Sequence, residues 1–184
     1  VLTADFAIHF LKKKQDKPFF LACGIFRPHL PWYVPQKYLD LQKPDEVEVP
    51  EVPEDDLNDL PKGGLKMAAA RKNDLQTIRK ADKQKDAIRA YLASISFADA
   101  QLGRVLDALN ASPSANQTIV ILWSDHGWHL GEKNHWHKST LWEEATRVPL
   151  IIHSPDHKPA ACRHPVSLLD LYPTLNELCD LKPS

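Results

Sequence analysis

The sequence predicts an α/β fold with a largely parallel central sheet flanked by helices. Two short apolar runs, residues 19–26 and 119–123, have the length and content of buried strands. Each follows a stretch with helical periodicity, and helix-then-strand repetition is the pattern that builds parallel sheets. A third run, residues 147–152, repeats the signal after a polar loop.

Composition bounds the rest. At 184 residues, one domain with a real core is the natural expectation. A formal net charge of −1 gives no electrostatic handle for nucleic acid or an anionic membrane. No apolar run approaches the ~18 residues needed to cross a bilayer. Cys23, Cys162 and Cys179 form neither a metal spacing nor a disulfide framework. The chain starts at Val1, inside a helical pattern, and is read as a piece of a longer protein.

Residues 1–14 form an amphipathic helix, with Leu2, Phe6, Phe10 and Leu11, and Ala7 among them, on its apolar stripe and lysines at its end. Residues 19–26 follow as a strand, with Cys23 as a small buried residue. Residues 27–33 cannot be helical, because Pro28 and Pro31 remove amide donors and hold their predecessors extended. His29 therefore sits on a stiff loop at a strand end.

Residues 35–64 are rich in proline and acid and read as a solvated excursion hinged at Gly63-Gly64. Residues 74–109 read as a long packing helix broken near Asp82, with Asp99, Gln101 and Arg104 on its polar face. After the strand at 119–123 come Asp125, His126 and Gly127, a carboxylate, an imidazole and a residue free to turn sharply. Sites of open α/β sheets lie beyond such strand ends, although an aspartate there is equally common as a helix cap. Residues 147–152 read as another buried strand, in which Pro149 suggests an edge position or a strand start. Residues 165–178 read as a turn and a helix with Pro173 in its first turn.

Residues 119–152, with Asp125-His126-Gly127, Gly131-Glu132, Trp136 and Lys138 in order, resemble the late strand-and-loop signature of the sulfatases. These are enzymes of the alkaline-phosphatase-like fold, and the likeness is to the branch of iduronate sulfatase and many bacterial sulfatases. Residues 17–31 resemble that branch's middle strand and its Pro-His-Pro-like loop. The resemblance covers most of the chain and is weakest over 34–83. It implies a C-terminal portion of a sulfatase catalytic domain over residues 1–184, with 34–82 a variable, loop-rich excursion bordering the substrate cleft and no separate second domain.

Cleaving a sulfate ester requires charge stabilisation on the sulfate oxygens and on the leaving oxygen, by a divalent cation and by positive side chains. By resemblance, Asp125 and His126 belong to a calcium site, which magnesium could also fill. His126 is the weaker metal ligand, since calcium favours oxygen. Lys138 and His29 contact the sulfate, and His29 donates a proton to the leaving oxygen; His126 joins them as a catalytic residue. The family's nucleophile, a formylglycine made from Cys or Ser in Cys/Ser-x-Pro-x-Arg, has no counterpart here. It is expected in an absent N-terminal half, so the isolated chain is expected to be inactive unless a complementary N-terminal chain completes it.

Alternatives come from two directions. One is a phosphodiesterase or phosphonate hydrolase of the same superfold, since fold does not fix reaction; the other is a catalytically inert fragment. His126, His129, His135 and His137 do not have the His-Glu-x-x-His spacing of zinc sites. His129 and His135 read as loop residues near the cleft, and Trp136 as packing or one wall of the substrate site. The expected substrate is a small-molecule or glycan sulfate ester, and the resemblance favours an exported or lysosomal-type protein.

Overall fold

The computed structural model describes residues 1–70 and 72–181. Helix α1 spans Leu2–Leu11, α2 Gln36–Asp40, α3 Lys62–Ala69 and α4 Lys72–Lys80. They precede α5, Gln84–Asn110, whose 27 residues form the spine of the molecule. Helices α1, α2 and α4 all pack against it. The expected break falls between α4 and α5, where Asp82 takes a left-handed φ of 52°.

Helix α1 forms, yet buries only part of the expected stripe. Ala4, Ala7 and Leu11 are buried, whereas Leu2 and Phe6 are exposed. Both sets satisfy a helical period, but the small alanines let the helix lie close to α5. Asp5 then reaches Arg104 at 2.6 Å. Arg104 also donates to Gln101 at 2.7 Å, so Gln101 is buried instead of lying on a solvated face.

The excursion over residues 34–82 is more structured than its composition suggests. Val47 and Leu75 join Ile88 and Trp136 in the buried cluster, with Trp32 and Leu130 packed against it. Arg89 of α5 donates to the carbonyls of Gln42 at 2.7 Å and Leu39 at 2.9 Å, which ties down the end of α2. Gly63 and Gly64 lie in the first turn of α3 and are not a hinge. Scattered apolar residues such as Val47 have no local period; only the fold shows that they share a core.

Four short strands follow: β1 (Val120–Trp123), β2 (His129–Leu130), β3 (Trp136–His137) and β4 (Leu150–His153), with the single-turn α6, Glu143–Thr146, before β4. The pairings correct the expected parallel sheet. Strand β1 pairs antiparallel with β4, Val120 opposite His153 and Trp123 opposite Leu150. Strand β2 pairs antiparallel with β3, His129 opposite His137. Two two-stranded antiparallel sheets are the only ladders among the described residues. The β2–β3 hairpin and α6 fill the connection at the end where β1 stops, so the chain re-enters from that end and runs back.

Residues 19–26 are extended, with alternating exposure, but pair with nothing among the described residues. Alternation specifies an extended chain; a ladder also needs a neighbour. The strand expected over 147–152 begins after Pro149, as anticipated, but Ile151 and Ile152 are exposed and not buried. A 3₁₀ turn, Leu168–Asp170, capped by the Ser167 hydroxyl, leads into α7, Leu171–Leu178, with Pro173 in its first turn.

Candidate active site

Two loops meet over α5. The first follows the unpaired extended run. Arg27–Pro28 and Leu30–Pro31 are both cis, and the loop is fastened by Trp32 Nε1 donating to the Pro28 carbonyl at 2.7 Å and Arg27 donating to the Tyr33 carbonyl at 3.0 Å. His29 Nδ1 lies 2.8 Å from the Leu30 carbonyl. A carbonyl can only accept, so Nδ1 carries the proton there. Nε2 is left without a hydrogen-bond partner among the described residues.

The second loop leaves β1. Ser124 donates to the His126 carbonyl at 2.9 Å. His126 Nδ1 donates to the Gly127 carbonyl at 2.8 Å, which turns its Nε2 lone pair toward Lys138, whose ammonium lies 2.5 Å away. The Asp125 carboxylate is 3.7 Å from the same Nε2, and its side chain is 76% exposed.

Gly127 is required for a reason other than a sharp turn. Its φ lies outside the left-handed region. An added Cβ would stand 2.1 Å from the Glu144 carbonyl oxygen, and the Gly127 amide donates to the Ala145 carbonyl at 2.8 Å. The glycine lets the loop lie directly on α6.

A cavity of about 260 Å³ opens between the two loops, lined by His29, Asp125, His126 and Lys138. The rings of His29 and His126 are 6.2 Å apart, and Trp128 backs them both. Arg27 and Tyr91 line the same cavity and were not singled out from the sequence. Arg27 could have been noticed as the cation just before the Pro-His loop. Tyr91 gave no signal, because its place on α5 follows the packing period. Burial and the nearby Glu132 carboxylate raise the Tyr91 phenol above its ordinary range, which keeps it a neutral hydroxyl.

The remaining aromatic and imidazole residues divide differently from expectation. His129 and His135 are fully buried and do not line the cleft. Trp136 is buried in the core cluster, which removes it as a substrate wall. His137 meets Asp74 of α4 at 3.0 Å. Lys133, with a left-handed φ of 52°, is clamped by Asp56 through its amide at 3.1 Å and its ammonium at 2.6 Å. No described residue of 34–82 lines the cavity; the excursion contacts the β2–β3 hairpin through Asp56 on Lys133 and Asp74 on His137.

The arrangement offers a carboxylate, two imidazole nitrogens and an ammonium around one space, a set suited to an anion and a hard cation together. Asp125 is an accessible oxygen donor. No three His, Cys, Asp or Glu side chains gather as a metal cluster among the described residues. Calcium favours about six to eight oxygens, so Asp125 by itself could supply only one of the ligands that such an ion needs.

Comparison with known proteins gives a consistent result. The Sulfatase family model matches residues 2–181. A sulfatase of Formosa agariphila is 47% identical over 177 residues, 92% of this chain and 34% of that protein. Human iduronate 2-sulfatase is 35% identical over 164 residues, 81% of this chain and 29% of the enzyme. The solved structure of a Bacteroides fragilis chain described as a candidate YidJ sulfatase superposes with a TM-score of 0.73 at 29% identity, covering 96% of this chain and 36% of that one. The chain thus spans about a third of the length of the relatives it matches.

Proposed function

Because the chain belongs to the sulfatase family, we propose that it is the C-terminal portion of a sulfatase catalytic domain and furnishes one side of the site that cleaves a sulfate ester. The observation that carries this reading is the single cavity onto which His29, Asp125, His126 and Lys138 open from separate loops. The substrate is a small-molecule or glycan sulfate ester, and the remainder of the domain supplies the other side of the site.

Each residue takes a role from its atoms. Lys138 directs a point charge at the non-bridging sulfate oxygens as negative charge builds in the transition state. Its ammonium donates to the His126 Nε2 lone pair 2.5 Å away, which holds it at the cavity wall. His126 keeps its Nδ1 proton on the Gly127 carbonyl and so presents only Nε2 to the cavity. His29, with its Nδ1 proton engaged by the neighbouring carbonyl, acts as the doubly protonated imidazolium, giving its Nε2 proton to the leaving oxygen. Asp125 is one carboxylate ligand for calcium, or for magnesium in the same place. When bound, calcium would neutralise charge on the sulfate oxygens, and a formylglycine from the rest of the domain would supply the nucleophile.

The test is Lys138→Ala in the complete protein, assayed on a generic aryl sulfate. Turnover should fall about 10²- to 10³-fold, as for loss of one transition-state donor. A variant that keeps the wild-type rate would refute the reading.

A further inference from the structure

We infer that the buried imidazoles of His129 and His135 are positioning residues that hold Lys138 at the cavity. The inference rests on the role proposed for Lys138. His137 and Ser139, on either side of Lys138, have φ of 80° and 75°. Both are left-handed conformations that residues other than glycine disfavour. A loop strained on both sides of its functional residue relaxes unless its surroundings hold it.

Two internal rings do so. His135 Nε2 donates to the Lys138 carbonyl at 3.0 Å. His129 Nε2 accepts from the Thr140 hydroxyl at 2.7 Å, and its Nδ1 lies 3.3 Å from the Glu132 carbonyl. The rings pack edge-on, centroids 5.0 Å apart. One fastens Lys138 itself and the other the residue just past Ser139.

Two observations separate this role from plain packing. Neither ring lines the cavity, so both act through Lys138 and not on the substrate. His135 Nδ1 is buried without a hydrogen-bond partner among the described residues. An unmet polar atom in the interior disfavours the residue on stability grounds alone. An apolar side chain of similar size would suit that space better, were it not for the single donor aimed at the Lys138 carbonyl.

The experiment compares His135→Leu, His135→Gln, Thr140→Val and Lys138→Ala in the complete protein, measuring aryl sulfate kcat and the melting midpoint. His135→Leu fills the space without a donor and should lower kcat on the order of tenfold or more with little change in midpoint. His135→Gln returns an N–H near the Nε2 position and should recover kcat to within about threefold of wild type. Should the Leu variant fail to fold, Thr140→Val, which removes only the hydroxyl on His129, should lower kcat severalfold. Wild-type kcat in His135→Leu or in folded Thr140→Val, or equal impairment of the Leu and Gln variants beside an impaired Lys138→Ala, overturns the inference. Full activity of Lys138→Ala would instead remove the reading beneath it.

Discussion

A single missing side chain sets how the His126 loop sits. With the Glu144 carbonyl 2.1 Å from where a Cβ would stand, Gly127→Ala must separate the loop from α6 and carry His126 with it. The expected effect is a loss of about 1–3 kcal/mol of stability, read from denaturant unfolding, together with a fall in aryl sulfate turnover. His129 makes a pH prediction. Burial, and then the adjacent His135, hold its imidazole below the ordinary range. The folded state therefore binds fewer protons than the unfolded state once pH drops toward about 6.5 and below, and stability falls as pH falls through that window. The melting midpoint of the complete protein should decline between pH 7 and 5, and His129→Gln should flatten that decline. Parallel curves for the two proteins would contradict the assignment.

Among elements, the link that matters is between the acidic excursion and the β2–β3 hairpin. Asp56 accepts from both the amide and the ammonium of Lys133, and neither side chain is more than a quarter exposed. Lys133 sits between β2 and β3 at a backbone angle that needs support. Asp56→Ala should lower stability by about 1–3 kcal/mol, the usual worth of hydrogen bonds to charged groups. It should also speed amide exchange across residues 129–138 in a hydrogen-exchange measurement. Unchanged exchange there would mean that the excursion and the hairpin are mechanically independent. Sequence showed α4, the break at Asp82 and α5, since a clear period and a turn residue are local signals. It did not show the role of Val47 or Asp56, whose partners lie far along the chain.

Across the whole molecule, apolar side chains remain open where a sheet protein usually covers them. Phe20 and Phe26 on the unpaired run, and Trp123, Ile151 and Ile152 on the β1–β4 pair, are all exposed. Patches of this kind mark surfaces that another polypeptide covers. Expressed alone, the chain should self-associate and show no aryl sulfate turnover, as judged by size-exclusion chromatography and assay. Co-expression with the upstream portion of a family member should restore solubility. A monodisperse, active isolated chain would disprove the dependence. The same exposed edges explain why a parallel sheet was expected and not found: apolar content marks a strand to be buried, while pairing direction depends on which neighbour is present.

From the chain alone came the family, through the resemblance of residues 17–31 and 119–152, the strand that stops at Trp123, and the placing of His29, His126 and Lys138 on loops, because short apolar runs and prolines are local signals. The folded chain was needed to see that those loops share one cavity, that His129 and His135 are buried inside the molecule, and that Gly127 lies against α6. Those facts depend on distances between residues remote in the chain, and no local period or spacing carries such distances.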